Sequence, residues 1–328
     1  MKLKTKFYKG EEECPFEGNS MEWLNWMKRA IVWVCRIKPK VFSAEEKKAW
    51  CEKTAAGNRA QDRDITACPG ELIDGLTMEA VPLPNASAWM VTKPDNPKDK
   101  VIYYIHGGGF IGACTKARMP FVSVLAKRFG YNVFSLDYRL APEYPHPCQL
   151  DDCLDGYMWL LDRFASENIV LIGESAGGTL VLTLSLLLRD RQLPLPKAIY
   201  ANSPATQLAE YTDSYRRFSL KEDFIVTEGI IENMYGVYIR QEEAKEPYVS
   251  PLYGDLHGLP PITLTASECE CLLDDSKLLY DKLLAAQNEA QLLTYPGLCH
   301  AFIISPQMKR VVRDAYPDLD TWLRKHLG

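Results

Sequence analysis

The segment 173–177, which reads Gly-Glu-Ser-Ala-Gly, is the feature that most constrains how this chain folds. An apolar run at residues 169–172 precedes it and an apolar stretch at residues 180–188 follows it, as a buried strand and a buried helix would. Glycines two residues before and two after Ser175 remove the Cβ atoms that would collide in a sharp strand-to-helix turn. Ser175 is therefore predicted to project above a sheet edge, where its hydroxyl can act as a nucleophile.

Strand-like and helical segments alternate along most of the chain. Strands are predicted at residues 76–81, 86–91, 101–105, 133–136, 169–172, 198–201, 262–266 and 291–295. Helices are predicted near residues 117–129, 151–164, 177–191 and 274–288. This alternation favours an α/β fold with a mostly parallel, eight-stranded sheet and helices on both faces.

Two further regions depart from this alternation. Residues 22–42 place apolar side chains at three- and four-residue spacings, which predicts an amphipathic helix closed by Pro39, and residues 44–58 predict a second, more polar helix. Residues 207–246 are polar and aromatic without a strong strand, which predicts a helical insertion. We expect N-terminal cap helices over 1–65, a first core part over 66–206, a cap insertion over 207–247 and a second core part over 248–328.

Composition excludes several classes of partner. The net charge of -5, without a basic run, argues against a nucleic-acid binder. The basic N-terminus leads into Glu11, Glu12 and Glu13 rather than an apolar segment, so we expect no secretion signal and a cytoplasmic protein. The apolar stretch 180–188 is too short to span a bilayer, so no stable membrane anchoring is expected.

The ten cysteines are scattered and include no Cys-x-x-Cys pair. They are expected to be free thiols. The weaker alternative is a zinc site that combines Cys269, Cys271, Cys299 and His300. We expect neither a metal nor a cofactor. Those three cysteines flank the candidate active site, so sensitivity to thiol reagents is a minor hypothesis beside inert packing.

A nucleophilic serine needs a base, an orienting acid and donors for the oxyanion. His300 is the predicted base, since it follows the strand 291–295 and a Pro-Gly turn, at the edge of the sheet where Ser175 lies. Among the other histidines, His257 lies in a Gly-Pro loop and His326 in a charged terminal helix, so both are expected to be solvated.

The acid should follow the strand 262–266. Glu268, Glu270, Asp274 and Asp275 all qualify by position. The two aspartates also suit the first turn of a helix, where carboxylates cap amides and complement the dipole. Glu270 is therefore favoured as the loop acid.

Consecutive glycines after the strand 101–105, in the segment His-Gly-Gly-Gly-Phe at 106–110, allow backbone amides to converge on one oxygen. A phosphate-binding loop is the rival interpretation, but no Gly-Lys-Ser/Thr follows. The amides of Gly108, Gly109 and Ala176 are the predicted oxyanion hole.

Taken in order, these motifs resemble those of the hormone-sensitive-lipase-like esterases of the α/β-hydrolase fold. The matching segments are His-Gly-Gly-Gly-Phe at 106–110, Asp-Tyr-Arg-Leu-Ala-Pro-Glu at 137–143, Gly-Glu-Ser-Ala-Gly-Gly at 173–178, Ser-Pro-Leu at 250–252 and His-Ala-Phe at 300–302. The family places its acid in the pattern acid-x-Leu-x-Asp, which falls on Glu270 to Asp274 and supports Glu270, although aspartate is the more common acid there.

The resemblance implies a serine carboxylesterase that acts on short-chain acyl esters through an acyl-enzyme, beneath a cap with an apolar pocket. Its partner would be a small-molecule ester, and a homodimer is left open. The alternative is a deacetylase of acetylated carbohydrates or of a specialised metabolite, which pocket polarity would distinguish. A non-catalytic ligand-binding receptor on the same fold is less well supported, because serine and histidine are both present.

Overall fold

A computed structural model describes residue 38 and residues 40–59, 70–234 and 236–328. Eight strands are present: β1 Thr77–Pro82, β2 Ser87–Thr92, β3 Val101–Ile105, β4 Asn132–Asp137, β5 Ile169–Glu174, β6 Ala198–Asn202, β7 Ile262–Ser267 and β8 Ala290–Tyr295. They form one sheet in the order β1-β2-β4-β3-β5-β6-β7-β8. β2 is antiparallel to β1 and to β4, and the pairs from β4 onward are parallel. The predicted mostly parallel, eight-stranded sheet is confirmed.

Helices alternate with the strands from β3 onward, as predicted, while two of the described helices precede β1 and one follows β8. They are α1 Ala44–Arg59, α2 Gly70–Ile73, α3 Thr115–Ser123, α4 Cys148–Leu161, α5 Ala176–Asp190, α6 Asp213–Phe218, α7 Ile230–Met234, α8 Leu273–Ala285 and α9 Tyr316–Leu327. Single 3₁₀ turns lie at Ser166–Asn168, Gln241–Glu243, Pro251–Tyr253 and Phe302–Ile304. The helix predicted near 117–129 is α3 followed by a π-helical turn, Val124–Arg128, and a second such turn, Val311–Ala315, precedes α9.

Two core layers cover the two faces of the sheet. In β3 the side chains of Tyr103 and Ile105 belong to the layer beneath α4, α5 and α8, whereas those of Ile102 and Tyr104 belong to the layer beneath α3 and α9. All five residues of β3 are buried, which explains why this strand reads as a continuous apolar run rather than an alternating one. The carboxyl ends of β3 to β8 therefore meet at a single edge between two rigid layers.

The segments outside this alternation are described only in part. The predicted helix over 22–42 lies almost wholly outside the described residues, whereas the helix predicted over 44–58 is α1. Residues 207–246 contain α6, α7 and the 3₁₀ turn Gln241–Glu243, and the described part of this segment contains no strand. The proposed domain boundaries stay a prediction.

Two smaller observations bear on the sequence expectations. Seven of the ten cysteines fall within the described ranges, and all seven are free thiols. Cys14, Cys35 and Cys68 lie outside those ranges. Across the part of the chain that the structure covers, no helix has both the length and the apolar character that crossing a membrane requires.

Adjacent leucines of α8 test how much this core contributes to stability. Leu279 is fully buried and Leu278 is 45% exposed. Leu279→Ala should lower the free energy of unfolding by about 2–5 kcal/mol, because the buried site loses its contacts and a cavity remains. Urea denaturation would measure the change. Leu278→Ala is the matched control and should shift stability by less than about 1 kcal/mol; equal losses in both variants would contradict the packing described here.

Candidate active site

Ser175 occupies the turn between β5 and α5 in a strained backbone conformation, with φ +54° and ψ -123°. The turn brings backbone segments into close approach. A Cβ atom on Gly177 would lie 2.1 Å from the carbonyl oxygen of Ile105, and one on Gly173 would lie 2.3 Å from the carbonyl oxygen of Gly177. Glycine is therefore required on both sides of the serine, for the steric reason that the sequence suggested.

Ser175, His300 and Glu270 form a continuous hydrogen-bonded chain. Ser175 Oγ lies 2.9 Å from His300 Nε2, and His300 Nδ1 lies 2.6 Å from Glu270 Oε2. Glu270 is fully buried and His300 is 4% exposed, so the pair is shielded from water on the side away from the serine. The structure thus brings together the three residues that the sequence singled out as nucleophile, base and acid.

Burial and mutual attraction act in opposite directions on this pair. Burial raises the pKa of Glu270, although the hydrogen bond and charge of His300 act to lower it. For His300 burial acts to lower the pKa, but the hydrogen bond and charge of Glu270 outweigh it, so the pKa of His300 is raised. The carboxylate therefore favours the imidazolium that forms when a serine proton is taken up.

Ser203 connects the acid, Glu270, to the loop that carries His300. Its hydroxyl donates to Glu270 Oε1 over 2.9 Å and accepts the backbone amide of Ala301 over 3.1 Å. The same carboxylate oxygen accepts the amide of Ser267 over 2.7 Å. These bonds orient the second oxygen of Glu270 toward His300.

A second buried carboxylate, Asp223, approaches the same pair from the 207–246 segment. Ligand atoms of Asp223, Glu270 and His300 all lie within 4.8 Å of one another. Asp223 Oδ2 accepts the backbone amide of Cys271 over 2.9 Å, while Oδ1 accepts two amides of its own loop over 2.9 and 3.0 Å. The negative charge of Asp223 also acts to raise the pKa of His300.

The predicted oxyanion loop follows β3 and faces Ser175. Gly108 has φ +118°, and a Cβ there would lie 2.2 Å from the carbonyl oxygen of Gly112. Gly108 and Gly109 border one cavity with Ser175, and Gly109 and Ala176 border another with the same serine. Because Ala176 is the first residue of α5, its amide has no carbonyl acceptor within its own helix. All three predicted donors thus lie around the space in front of the serine.

Glu174 links this loop to the nucleophile turn. Its side chain is fully buried. Oε1 accepts the amide of Gly107 and Nε of Arg118, each over 2.7 Å, and Oε2 accepts the hydroxyl of Tyr104 over 2.8 Å. The residue beside the serine is therefore the anchor of the oxyanion loop.

Two cavities of unequal size meet at Ser175 and Gly109. The larger has a volume of about 520 Å³ and the smaller about 50 Å³. Apolar side chains of the N-terminal and inserted segments form much of the larger cavity: Phe42, Trp50, Ile225, Val226, Ile230 and Met234. The smaller is bordered by Phe110, Ala205, Leu208, Tyr215, Ile231 and Leu272, among others. A substrate attacked by Ser175 would extend one part into each space.

Some expectations for neighbouring residues are wrong. His326 is buried at 8% exposure and packs 5.0 Å from the Trp322 ring, because it continues the apolar face of α9. Asp274 and Asp275 lie in the first turn of α8, as expected, but their carboxylates accept the amides of Ser214 in the inserted segment and of Thr206 just before it, rather than amides of their own helix. His257 is exposed, as expected, and lies 2.6 Å from Asp255.

The cysteines near the site do not converge. Cys271 is buried, and burial raises the pKa of its thiol, whereas Cys299 is half-buried and borders the larger cavity. Among the described residues, the metal-ligating side chains that lie within 4.8 Å of one another are Asp223, Glu270 and His300, so the alternative cysteine–histidine zinc set is not assembled. Whether thiol reagents affect activity stays a prediction.

Sequence reasoning missed three residues that support this site: Glu174, Ser203 and Asp223. Glu174 stands in the variable position of the pentapeptide, and Ser203 directly follows the strand β6. Both positions lie at the carboxyl edge of the sheet, where functional residues collect, so the sequence could have indicated them. Asp223 lies in a segment without strand or long-helix periodicity, and no spacing connects it with Glu270.

Comparison with known proteins places this architecture in a family. The alpha/beta hydrolase fold family matches residues 102–304. The chain is 34% identical over 268 residues to Esterase LipU of Mycobacterium tuberculosis, covering 76% of this chain and 87% of the relative. It is 32% identical over 281 residues to Carboxylesterase/phospholipase LipF of the same organism, covering 76% and 72%.

A solved structure agrees with these relatives. The crystal structure of an esterase from the bacterial hormone-sensitive lipase family aligns with a TM-score of 0.75 at 27% identity, covering 94% of this chain and 99% of that one. The chain belongs to the alpha/beta hydrolase fold family. Within it, the resemblance to the hormone-sensitive-lipase-like esterases is confirmed.

The buried ion pair of Glu174 offers a stability test. Glu174→Gln should lower the free energy of unfolding by about 3 kcal/mol, because it removes the carboxylate that balances the partly buried Arg118. Glu210→Gln is the matched control: its partner Lys245 and Glu210 itself are 62% and 67% exposed, so its effect should be below about 1 kcal/mol. Guanidinium titrations of both variants would check this, and equal stability of Glu174→Gln and wild type would contradict the anchoring role.

Proposed function

We propose that this protein hydrolyses short-chain acyl esters through an acyl-enzyme formed on Ser175. The protein is a carboxylic ester hydrolase, as its esterase and carboxylesterase relatives indicate. The observation that carries the proposed mechanism is the unbroken chain from Ser175 Oγ through both ring nitrogens of His300 to Glu270, with contacts of 2.9 and 2.6 Å.

In this mechanism Ser175 is the nucleophile, and His300 acts first as base and then as acid. His300 Nε2 takes the serine proton as Oγ attacks the acyl carbon, and Glu270 stabilises the imidazolium. The amides of Gly108, Gly109 and Ala176 bind the oxygen that becomes negative. His300 then returns the proton to the leaving alcohol and activates water to release the acid. Besides the ester, the cycle uses only these protein groups and water.

The unequal cavities support a short acyl group. The smaller space, about 50 Å³, adjoins Ser175 and Ala176 and ends at the apolar side chains of Leu208, Tyr215 and Leu272. It suits a compact hydrocarbon chain, whereas the larger space takes the alcohol part. Much of the larger cavity is apolar, and a sugar would require several hydrogen-bonding groups there. This favours simple or aromatic esters over acetylated carbohydrates.

Other properties remain predictions from sequence. A small-molecule ester is the proposed partner. The cytoplasmic location is a proposal from the sequence, and whether two copies associate through the last strand and helix is left open.

A p-nitrophenyl ester series from acetate to palmitate tests the proposal. Turnover should be greatest for two- to four-carbon acyl groups and fall steeply beyond them. Ser175→Ala should reduce kcat by about 10⁶-fold, the scale of losing a serine nucleophile. Ser185→Ala is the control. Ser185 follows Ser175 closely in sequence, but it is buried in α5 and its hydroxyl donates to the Leu182 carbonyl. Preferred hydrolysis of palmitate, or turnover surviving in Ser175→Ala, would refute the proposal.

Asp223 should set part of the pH dependence. The base must be neutral to accept a proton, and the charge of Asp223 raises the pKa of His300. Removing that charge in Asp223→Asn lowers the pKa, so activity should persist to lower pH and the acidic limb of kcat/KM should move down. The rate on the plateau should fall several-fold, because one amide acceptor is lost.

The control for this profile is Asp255→Asn, which removes an exposed carboxylate paired with His257. Its acidic limb should match that of the wild type. An unchanged or upward-shifted limb in Asp223→Asn would show that Asp223 does not act on the base.

A further inference from the structure

Arg118 borders the larger cavity together with Ser175 and His300. It lies in α3, and its side chain is 17% exposed. Its Nε donates to Glu174 Oε1 over 2.7 Å. An arginine thus lies in the wall of the substrate space, although the mechanism above gives it no role.

The charge of Arg118 is stabilised at this position. Burial acts to lower its pKa, but the Glu174 carboxylate outweighs that effect and raises the pKa, so the guanidinium stays ionised. Glu174 uses both of its oxygens for protein donors, one for Gly107 and Arg118 and the other for Tyr104. The charges of Arg118 and Glu174 therefore balance, and both carboxylate oxygens of Glu174 already accept hydrogen bonds from the protein.

The N–H donors of Arg118, in contrast, are only partly used. Within the described ranges, Arg118 donates only through Nε, and its two terminal nitrogens have no hydrogen-bond acceptor. Together these carry four N–H donors in a planar fork that matches carbonyl and carboxylate oxygens. Both nitrogens retain access to solvent at the cavity that Arg118 borders, so an oxygen of a bound molecule can take the place of water there.

We propose that Arg118 is a binding subsite for a second oxygen acceptor on the substrate. The preferred esters carry a carbonyl or carboxylate group on the part that occupies the larger cavity, in addition to the ester itself. The acceptor belongs on that part because Arg118 borders the larger space and not the smaller one. The apolar side chains of Ile225, Ile230 and Met234 border the same cavity and would cover the carbon frame. This inference rests on the proposed esterase function and specifies its substrate class.

Three aryl acetates of similar shape test it. Their acetyl group suits the smaller cavity, and their rings differ at the meta position: 3-ethylphenyl acetate has no acceptor, 3-acetylphenyl acetate has a carbonyl and 3-acetoxybenzoate has a carboxylate. Each kcat/KM is divided by the rate of hydroxide-catalysed hydrolysis, which removes the difference in leaving-group reactivity. Wild-type enzyme should favour one or both acceptor-bearing esters by about tenfold or more. The comparison of the two shows which oxygen group the subsite takes.

Variants at Arg118 should remove that preference. Arg118→Met removes every donor, and Arg118→Lys retains a charge beside Glu174 but lacks the planar fork. If Arg118 only supported the oxyanion loop through Glu174, its loss would slow all three esters by the same factor. A subsite role instead changes the ratio between them, chiefly through KM.

Arg139→Met is the matched control. Arg139 is 21% exposed and its Nε lies 3.0 Å from the buried Asp152, but Arg139 borders neither cavity. It should leave the wild-type preference intact. A wild-type enzyme without preference, or an unchanged preference in Arg118→Met, would overturn the inference while leaving the esterase function standing. Failure of the wild type to hydrolyse any of the three esters would instead overturn the proposed function, and this inference with it.

Discussion

The buried carboxylate of Glu174 joins the elements on which the site depends. It ends β5, immediately before the nucleophile, and accepts donors from β3, from the loop after β3 and from α3. A carboxylate removed from water is unfavourable unless donors and a counter-charge replace its hydration. Here three hydrogen bonds do so, and one of them comes from the charged guanidinium of Arg118. The hydrogen bond from the Gly107 amide therefore does two things: it stabilises the buried Glu174 carboxylate, and it fixes the oxyanion loop relative to Ser175.

A comparable arrangement supports the base. Glu270 is buried with two donors on one oxygen and His300 on the other, so it has little freedom to rotate. Ser203 connects this carboxylate to the amide of Ala301, which adjoins the histidine. In the proposed mechanism this fixed orientation matters, because Glu270 would act by orienting His300 and by its charge, without taking the proton itself. Glutamate in place of the more common aspartate is accommodated by the position of this loop, as the 2.6 Å contact with the imidazole demonstrates.

Sequence reasoning succeeded where local pattern determines structure and failed where distant segments meet. All eight strands were predicted to within about two residues, since each is a short apolar run bounded by turns. The candidate serine, histidine and acid were chosen from the order of motifs along strand ends, and the structure brings all three into hydrogen-bond contact, while their catalytic roles stay a prediction. Asp223 was missed because only folding brings its loop to Cys271, 48 residues away. His326 was misjudged because charged neighbours in sequence concealed its place on the apolar face of α9.

The position of Asp223 links the inserted segment to the chemistry as well as to the pocket. The same stretch that supplies Asp223 beside the Glu270–His300 pair also supplies Val226, Ile230 and Met234 to both cavities. A displacement of this stretch would change the shape of the substrate space and the charge near the base together. Because Asp223 Oδ2 is bonded to the backbone beside Glu270, the segment cannot move away without breaking a buried hydrogen bond. The shape of the substrate space and the negative charge beside His300 therefore depend on the same segment of the chain.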